Sequence, residues 1–249
     1  MKNTLTIILL VCINSFIYGQ NTFENVKDNK TNWEFDVTPY MWFSSLKGDV
    51  SFLNQSVPVN TEFKDIWDQL SFGFLLHAEA QKGSWTIMTD FIYLNLKEDG
   101  TIKNTSQTTS TETKQTIFEL GGAYSLLKFQ DYFVLEGLAG MRYFGLAPEF
   151  DINQLTVFDK SLDFVDPYIG IRFKSVSEKW INSASFDFGG FGIGSEISWK
   201  LNLNVGYQFN DLISLNVGYQ GYDVDYEGEE SFKYNVFTGG FLTGLNFSF

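Results

Sequence analysis

From Glu196 to Phe209 the chain reads E-I-S-W-K-L-N-L-N-V-G-Y-Q-F. Ile197, Trp199, Leu201, Leu203, Val205, Tyr207 and Phe209 share one parity; Glu196, Ser198, Lys200, Asn202, Asn204, Gly206 and Gln208 share the other. A period of two belongs to a strand, whose successive side chains point to opposite faces, whereas a helix repeats every 3.6 residues. The run is longer than an ordinary globular strand. It suits a tilted membrane crossing, which takes about 9–11 residues in the hydrocarbon.

The same period recurs in ten segments: 33–45, 72–81, 85–96, 115–127, 131–146, 164–175, 180–190, 195–209, 212–226 and 234–249. Leu75 breaks the second, and the parity slips near Gln220-Gly221, which predicts a bulge there. Short polar turns at 82–84, 128–130, 176–179 and 210–211 alternate with longer stretches at 46–71, 97–114, 147–163 and 227–233, and with a Gly-rich turn at 191–194. Even strand number, short turns at one end and long loops at the other are the layout of bacterial outer-membrane barrels. The expected fold is therefore all-β: an antiparallel transmembrane β-barrel of about ten strands, with 8 or 12 as alternatives. Both termini would face the periplasm. A secreted β-sandwich also alternates, but strands of this length would be unusual for it.

The amino terminus reads differently. Lys2, an apolar stretch from Leu5 to Ile13, and small or polar residues up to Gly19 lay out a secretory signal peptide at 1–19. A lipoprotein reading at Cys12 is weaker, because Val11 stands where a small residue is wanted. Cleavage after Gly19 removes the only cysteine, and with it disulfide or thiol chemistry; losing Lys2 moves the formal charge from -13 to -14. A periplasmic segment at 20–31 and the barrel at 32–249 follow. No later apolar run approaches the roughly 18 residues of a spanning helix.

Composition agrees: 26 Phe, 12 Tyr and 6 Trp beside 22 Gly and only 4 Pro suit long twisted strands with aromatics at an interface. The acidic balance excludes nucleic acid as a partner, since phosphates would be repelled. On the last segment Phe241, Leu245, Phe247 and Phe249 face one way, and Gly240, Gly244, Asn246 and Ser248 the other. The terminal Phe249, with Phe247 and Leu245, looks like the signal by which barrels are handed to the barrel-assembly machinery.

Several segments resemble an uncharacterised family of Gram-negative outer-membrane β-barrel proteins. They are Pro39-Tyr40-Met41-Trp42, Phe63 to Gly73 (FKDIWDQLSFG), Asp90-Phe91-Ile92-Tyr93-Leu94 and Gly189-Gly190-Phe191-Gly192-Ile193-Gly194-Ser195. Met141-Arg142-Tyr143, Asp166 to Arg172 (DPYIGIR) and Gly206 to Asp211 (GYQFND) belong to the same pattern. The resemblance spans most of the chain after residue 19, and the Gly-rich turn is its most specific piece. It implies fold and location and no activity. The Ile-Tyr-Gly-Gln end of the signal and the many asparagines resemble a Bacteroidetes version.

Placing the aromatic parity against lipid turns the other parity inward. Nine acids (Glu34, Asp36, Glu79, Asp90, Glu119, Glu136, Asp166, Asp187, Glu196) then face four bases (Arg142, Arg172, Lys174, Lys200) and His77. A ten-stranded barrel is narrow, so its interior should be largely filled by side chains. Buried charges persist only when paired. A structural network is expected in which Arg142 and Arg172 meet Glu79, Asp90, Asp166 or Asp187, with Glu119 and Glu136 nearby. A proton or ion path, or a small polar ligand site, is the functional alternative. His77 is the only histidine, so any imidazole mechanism must use it, with Glu79 two residues along the same face. No local motif of a barrel enzyme surrounds it, and a packing role is favoured. No Cys/His spacing for a transition metal is present, and no cofactor is expected.

Two loops add detail. Phe63, Ile66, Trp67 and Leu70 fall at i, i+3, i+4 and i+7, predicting a short amphipathic helix on the outer side, on the membrane surface or capping the lumen. Residues 97–114 are Thr/Ser-rich and read as a solvated loop. Asp223, Asp225, Glu227, Glu229 and Glu230 gather acid near the outer rim: a solubilising edge, or oxygen ligands for divalent cations that bridge lipopolysaccharide. The expectation is a monomeric barrel in contact with outer-membrane lipid and lipopolysaccharide, structural or small-solute related. A narrow channel for small polar solutes or ions, or an envelope enzyme acting on lipid A or phospholipid, stays open.

Overall fold

The computed structural model describes residues 32–52, 55–102, 107–129, 132–153, 155–159, 161–228 and 232–249. The signal peptide, Cys12, the segment 20–31, Glu229 and Glu230 lie outside them. Twelve strands and one helix follow in order: β1 (Glu34–Phe52), β2 (Gln55–Thr61), α1 (Phe63–Gln69), β3 (Leu70–Lys82), β4 (Trp85–Thr101), β5 (Thr108–Phe129), β6 (Phe133–Ile152), β7 (Leu155–Asp159), β8 (Leu162–Ser177), β9 (Trp180–Gly190), β10 (Ile197–Gln208), β11 (Ile213–Glu227) and β12 (Lys233–Ser248). Ten of them close an antiparallel barrel in the order β1-β3-β4-β5-β6-β8-β9-β10-β11-β12, with β12 returning to β1. The closing ladder runs from Asp36 opposite Ser248 to Ser51 opposite Lys233. The terminal Phe249 exchanges both backbone hydrogen bonds with Phe35, at 3.1 and 2.8 Å. Pairing β12 with β1 closes the ring, so neither terminal strand is left as a free edge, which is how a sheet avoids templating aggregation.

The outer face carries Phe35, Met41, Phe74, Phe118, Leu120, Met141, Ile169, Ile171, Phe173, Phe186, Leu203, Val205, Val217, Phe241 and Leu245, all exposed. Such a continuous apolar girth far exceeds the patches of a few hundred Å² normal for soluble proteins. Aromatic clusters ring it at the end of the short turns, where Trp85 meets Tyr124 at 4.7 Å and Trp180 meets Tyr207 at 5.0 Å. A second group stands towards the long hairpins, with Trp199 6.3 Å from Phe186 and 5.6 Å from Phe237. Two aromatic girdles around an apolar band are the outward signature of a membrane barrel.

Two sequence expectations change. Gln220 and Gly221 pair continuously with β10 and β12, so the expected bulge is not there, and Leu75, which breaks the alternation, also sits in regular register between Gly73 and His77. The hydrophobic parity changes there because the lumen itself becomes apolar at that height. Register shifts occur instead between Leu70 and Phe72, Ser125 and Leu127, and Phe150 and Asp151. The long stretches are also mostly strand: β4 and β5 pair as far as Thr101 opposite Thr108, and β1–β2 and β6–β7 form further hairpin extensions. Threonine is β-branched and fits a pleated ladder even where both faces are wet.

Helix α1 spans the segment its periodicity predicts. Lys64 pairs with Asp68 at 2.8 Å, and Asp65 accepts the Glu62 backbone N–H at 3.1 Å, so the first turn is closed by an acid at the positive end. Its Phe63 ring lies 5.1 Å from Phe43, an outward residue of β1. The helix thus packs on the wall and does not cap the lumen.

Candidate functional site

Strand pleat alone places the lumen residues. Register lines up Glu79, Asp36 and Met88, and then Arg142, Glu119 and Asp166, on inward positions of adjacent strands. Long side chains then reach across the bore, and partners are set by reach as well as by register.

The deepest group centres on Arg142, fully buried. Its Nε donates to Glu119 Oε1 at 2.9 Å and its Nη2 to Asp187 Oδ1 at 2.8 Å. Lys200 Nζ donates to the same Glu119 oxygen at 2.8 Å. The guanidinium lies over the rings of Tyr168 (5.0 Å) and Tyr222 (4.8 Å), two cation–π contacts. Tyr168 can lie this way because Gly121 and Gly140 flatten the wall: a Cβ at either would come within 2.2 or 2.5 Å of its hydroxyl.

A second group lies nearer the short turns. Arg172 Nε donates to Glu136 Oε2 at 2.6 Å, and its Nη1 pairs with Glu79. Lys174 Nζ donates to Glu79 Oε2 at 2.9 Å. His77 Nε2 sits 3.1 Å from Glu79 Oε1, and its Nδ1 3.1 Å from Asp90 Oδ2; Asp90 also accepts the Tyr40 hydroxyl at 2.8 Å. Both ring nitrogens of His77 therefore face carboxylates. The two contacts fix the ring between Glu79 and Asp90, a placement that suits a member of the lumen charge network.

Asp166 stands opposite Arg142 in the ladder yet does not pair with it. It accepts the Ser195 backbone N–H (2.7 Å), the Ser195 hydroxyl (2.6 Å) and the Ser198 hydroxyl (2.7 Å). This accounts for the Gly-rich turn. Gly190 and Gly192 take φ of 88° and 69°, which side chains rarely adopt, and a Cβ on Gly194 would lie 2.4 Å from the Val165 carbonyl. The turn folds against the wall and delivers Ser195 to Asp166. Of the four expected partners, Asp187 and Glu79 do meet Arg142 and Arg172, whereas Asp166 and Asp90 do not, and Glu119 and Glu136 stand in their place.

Beside these groups lies a cavity of about 410 Å³, bounded by Glu79, Asp90, Glu119, Arg172, Lys174 and Lys200 on one side. Neutral polar side chains, among them Asn202, Asn204, Asn216, Ser183, Ser185 and Gln220, line the rest of it with Asp187. It reaches the short-turn mouth, where Asp36 accepts from Asn246 (2.9 Å) and Ser248 (2.6 Å). Towards the hairpins the described residues of the lumen are packed and apolar. Phe144 stacks on Phe164 at 5.2 Å and meets Tyr234 at 5.5 Å, and Phe164 stacks on Tyr226 at 4.8 Å. Ile92, Ile117, Val224 and Val236 complete this buried apolar plug. The interior is filled in one half only.

At the hairpin end Asp223 and Asp225 sit on the outward face, opposite Trp199 and Ile197. Among the described residues no group of three or more His, Cys, Asp or Glu could hold a metal ion. Glu112, on the outward face of the β4–β5 extension, is held below the usual carboxylate range. Burial works against its charge, but Asn95, Lys97 and Lys114 outweigh it by hydrogen bonds and charge.

No protein-family model matches the chain, and no curated protein matches it in sequence. Solved structures do match. The outer membrane protease OmpT from Escherichia coli superposes with a TM-score of 0.57 at 11% identity, over 92% of this chain and 100% of that one. The likeness is one of fold. Ail of Yersinia pestis, solved with the heparin analogue sucrose octasulfate, and the translocator domain of the autotransporter NalP from Neisseria meningitidis each reach 0.40. Ail is 11% identical, over 88% of this chain and 99% of that one; NalP is 9% identical, over 99% and 95%.

Proposed function

We propose that the chain is an integral outer-membrane β-barrel whose role is structural, with a lumen sealed on the cell-exterior side. The apolar plug around Phe144 carries this reading, because among the described residues it fills the hairpin half of the bore with packed rings and aliphatic side chains. In this reading the short turns and both termini face the periplasm, the girth contacts membrane lipid, and the acidic hairpin rim meets lipopolysaccharide. A monomer suffices, since the ring closes on itself, and Phe249 with Phe247 and Leu245 serves assembly. A small-solute role is favoured by one observation, the 410 Å³ cavity with its mixed charged and amide walls. That pocket would be filled and emptied from the periplasm. Reconstitution in planar bilayers tests the sealed lumen: the wild type should show no steady conductance. Discrete, long-lived current steps from the wild type would refute it and revive the channel reading.

A further inference from the structure

The wall is not zipped along its whole height. The β1–β3 ladder ends at Pro39 opposite Leu76, and β1 next finds a partner on that side only at Leu46, opposite Thr61 of β2. Residues 40–45 of β1 and 70–75 of β3 thus face each other without a ladder, over about 20 Å of strand at 3.3 Å per residue. Pro39 stands at the lower end, where its missing N–H suits the end of pairing. Open strand edges are not tolerated against bare hydrocarbon, so this seam must be covered or occupied.

Its outward flanks are Met41 and Phe43 on β1 and Phe72 and Phe74 on β3, of which Met41, Phe72 and Phe74 are exposed. Helix α1 covers the upper part, with Ile66 buried and Phe63 against Phe43. The inward side is Trp42, Leu75 and Leu94, packed against the plug, and Gly73 adds no side chain there. Trp42 Nε1 is buried and has no hydrogen-bond partner among the described residues. An orphan donor in apolar surroundings is costly and calls for an acceptor. Apolar flanks continuous with the membrane girth call for an acyl chain. Both demands are met by one chemistry.

We propose that the seam between β1 and β3 is a lateral port that takes one ester-linked acyl chain of a membrane glycerolipid, with an ester oxygen accepting the Trp42 indole N–H. The chain lies between Leu75 and Trp42 under α1. Tyr40, at the lower end of the seam, also lines the polar cavity, so the port and the pocket adjoin. This rests on the membrane-spanning reading above.

The test is photocrosslinking of the full-length barrel carrying Leu75→p-benzoylphenylalanine, reconstituted in dioleoyl phosphatidylcholine or in its diether counterpart, which lacks the ester carbonyls. Met41→p-benzoylphenylalanine is the outward control, and the heat-dependent gel shift verifies folding of each variant. The Leu75 probe should yield lipid adducts in the diester bilayer. Their yield should fall about fivefold in the diether bilayer and equally with Trp42→Phe, the worth of one neutral hydrogen bond. Labelling at Met41 with none at Leu75 would overturn the port while leaving the membrane reading intact. A Leu75 yield indifferent to both the ether lipid and Trp42→Phe would overturn recognition of the ester. Loss of labelling at Met41 as well would contradict the membrane reading itself.

Discussion

The two halves of the lumen are made by the same strands and obey opposite rules. On β6 the inward series passes from Glu136 and Arg142 to Phe144; on β8 it passes from Arg172 and Asp166 to Phe164; on β4 it passes from Asp90 to Ile92. One half is polar, crossed by ion pairs and partly empty. The other is apolar and packed like a globular core. The difference shows that inward parity fixes where a side chain points but not what the interior is made of. A charged interior needs complete pairing to persist, while an apolar one needs only volume.

Breaking the charged half should cost most. Arg142→Ala strands Glu119 and Asp187 without their guanidinium, and a loss of about 3–5 kcal/mol is expected in urea titration of the refolded barrel. A loss below 1 kcal/mol would mean the pairing is not needed to hold the belt. Ser198→Ala removes one of three hydrogen bonds to Asp166 and should cost about 1.5–3 kcal/mol in the same titration. The packed half is more forgiving of small changes: Ile92→Val should cost about 0.5–1.5 kcal/mol. An Ile92→Val effect larger than that of Arg142→Ala would invert the comparison.

The smallest effect lies outside both halves. Glu112 titrates below the ordinary carboxylate range, so its contribution is present above that range and is lost as pH falls through its own depressed value. Glu112→Gln should slightly flatten the acid limb of the stability profile between the ordinary carboxylate range and the lower value. Stability near neutral pH should fall only marginally, because the group is near the surface.

Much of this was legible in the alternation. It places the barrel strands, the lumen acids and bases, and α1. The plug was not legible, because Leu75, Tyr222 and Val224 read as interruptions of the outward parity when they are the inward parity turned apolar. Partner choice was not legible either. Arg142 and Asp166 are direct ladder neighbours, yet the guanidinium crosses the bore to Asp187 while Asp166 holds the turn serines. Such reach depends on three-dimensional curvature that no spacing along the chain encodes. The Thr/Ser-rich stretch 97–114 read as loop because its polarity hid a ladder that pairs in register from Lys97 with Glu112 to Thr101 with Thr108.

The central claim, a bore wet at the short-turn end and sealed at the other, is tested most directly by thiol accessibility. Ser185→Cys places a thiol on the cavity wall, and Val224→Cys places one in the plug, where Val224 is 1% exposed. With a water-soluble, membrane-impermeant maleimide on the folded protein in liposomes, reagent on the short-turn side should label position 185. Position 224 should stay unlabelled from both sides until the barrel is denatured. Rapid labelling of position 224 in the folded barrel, from either side, would show an open bore and contradict the account.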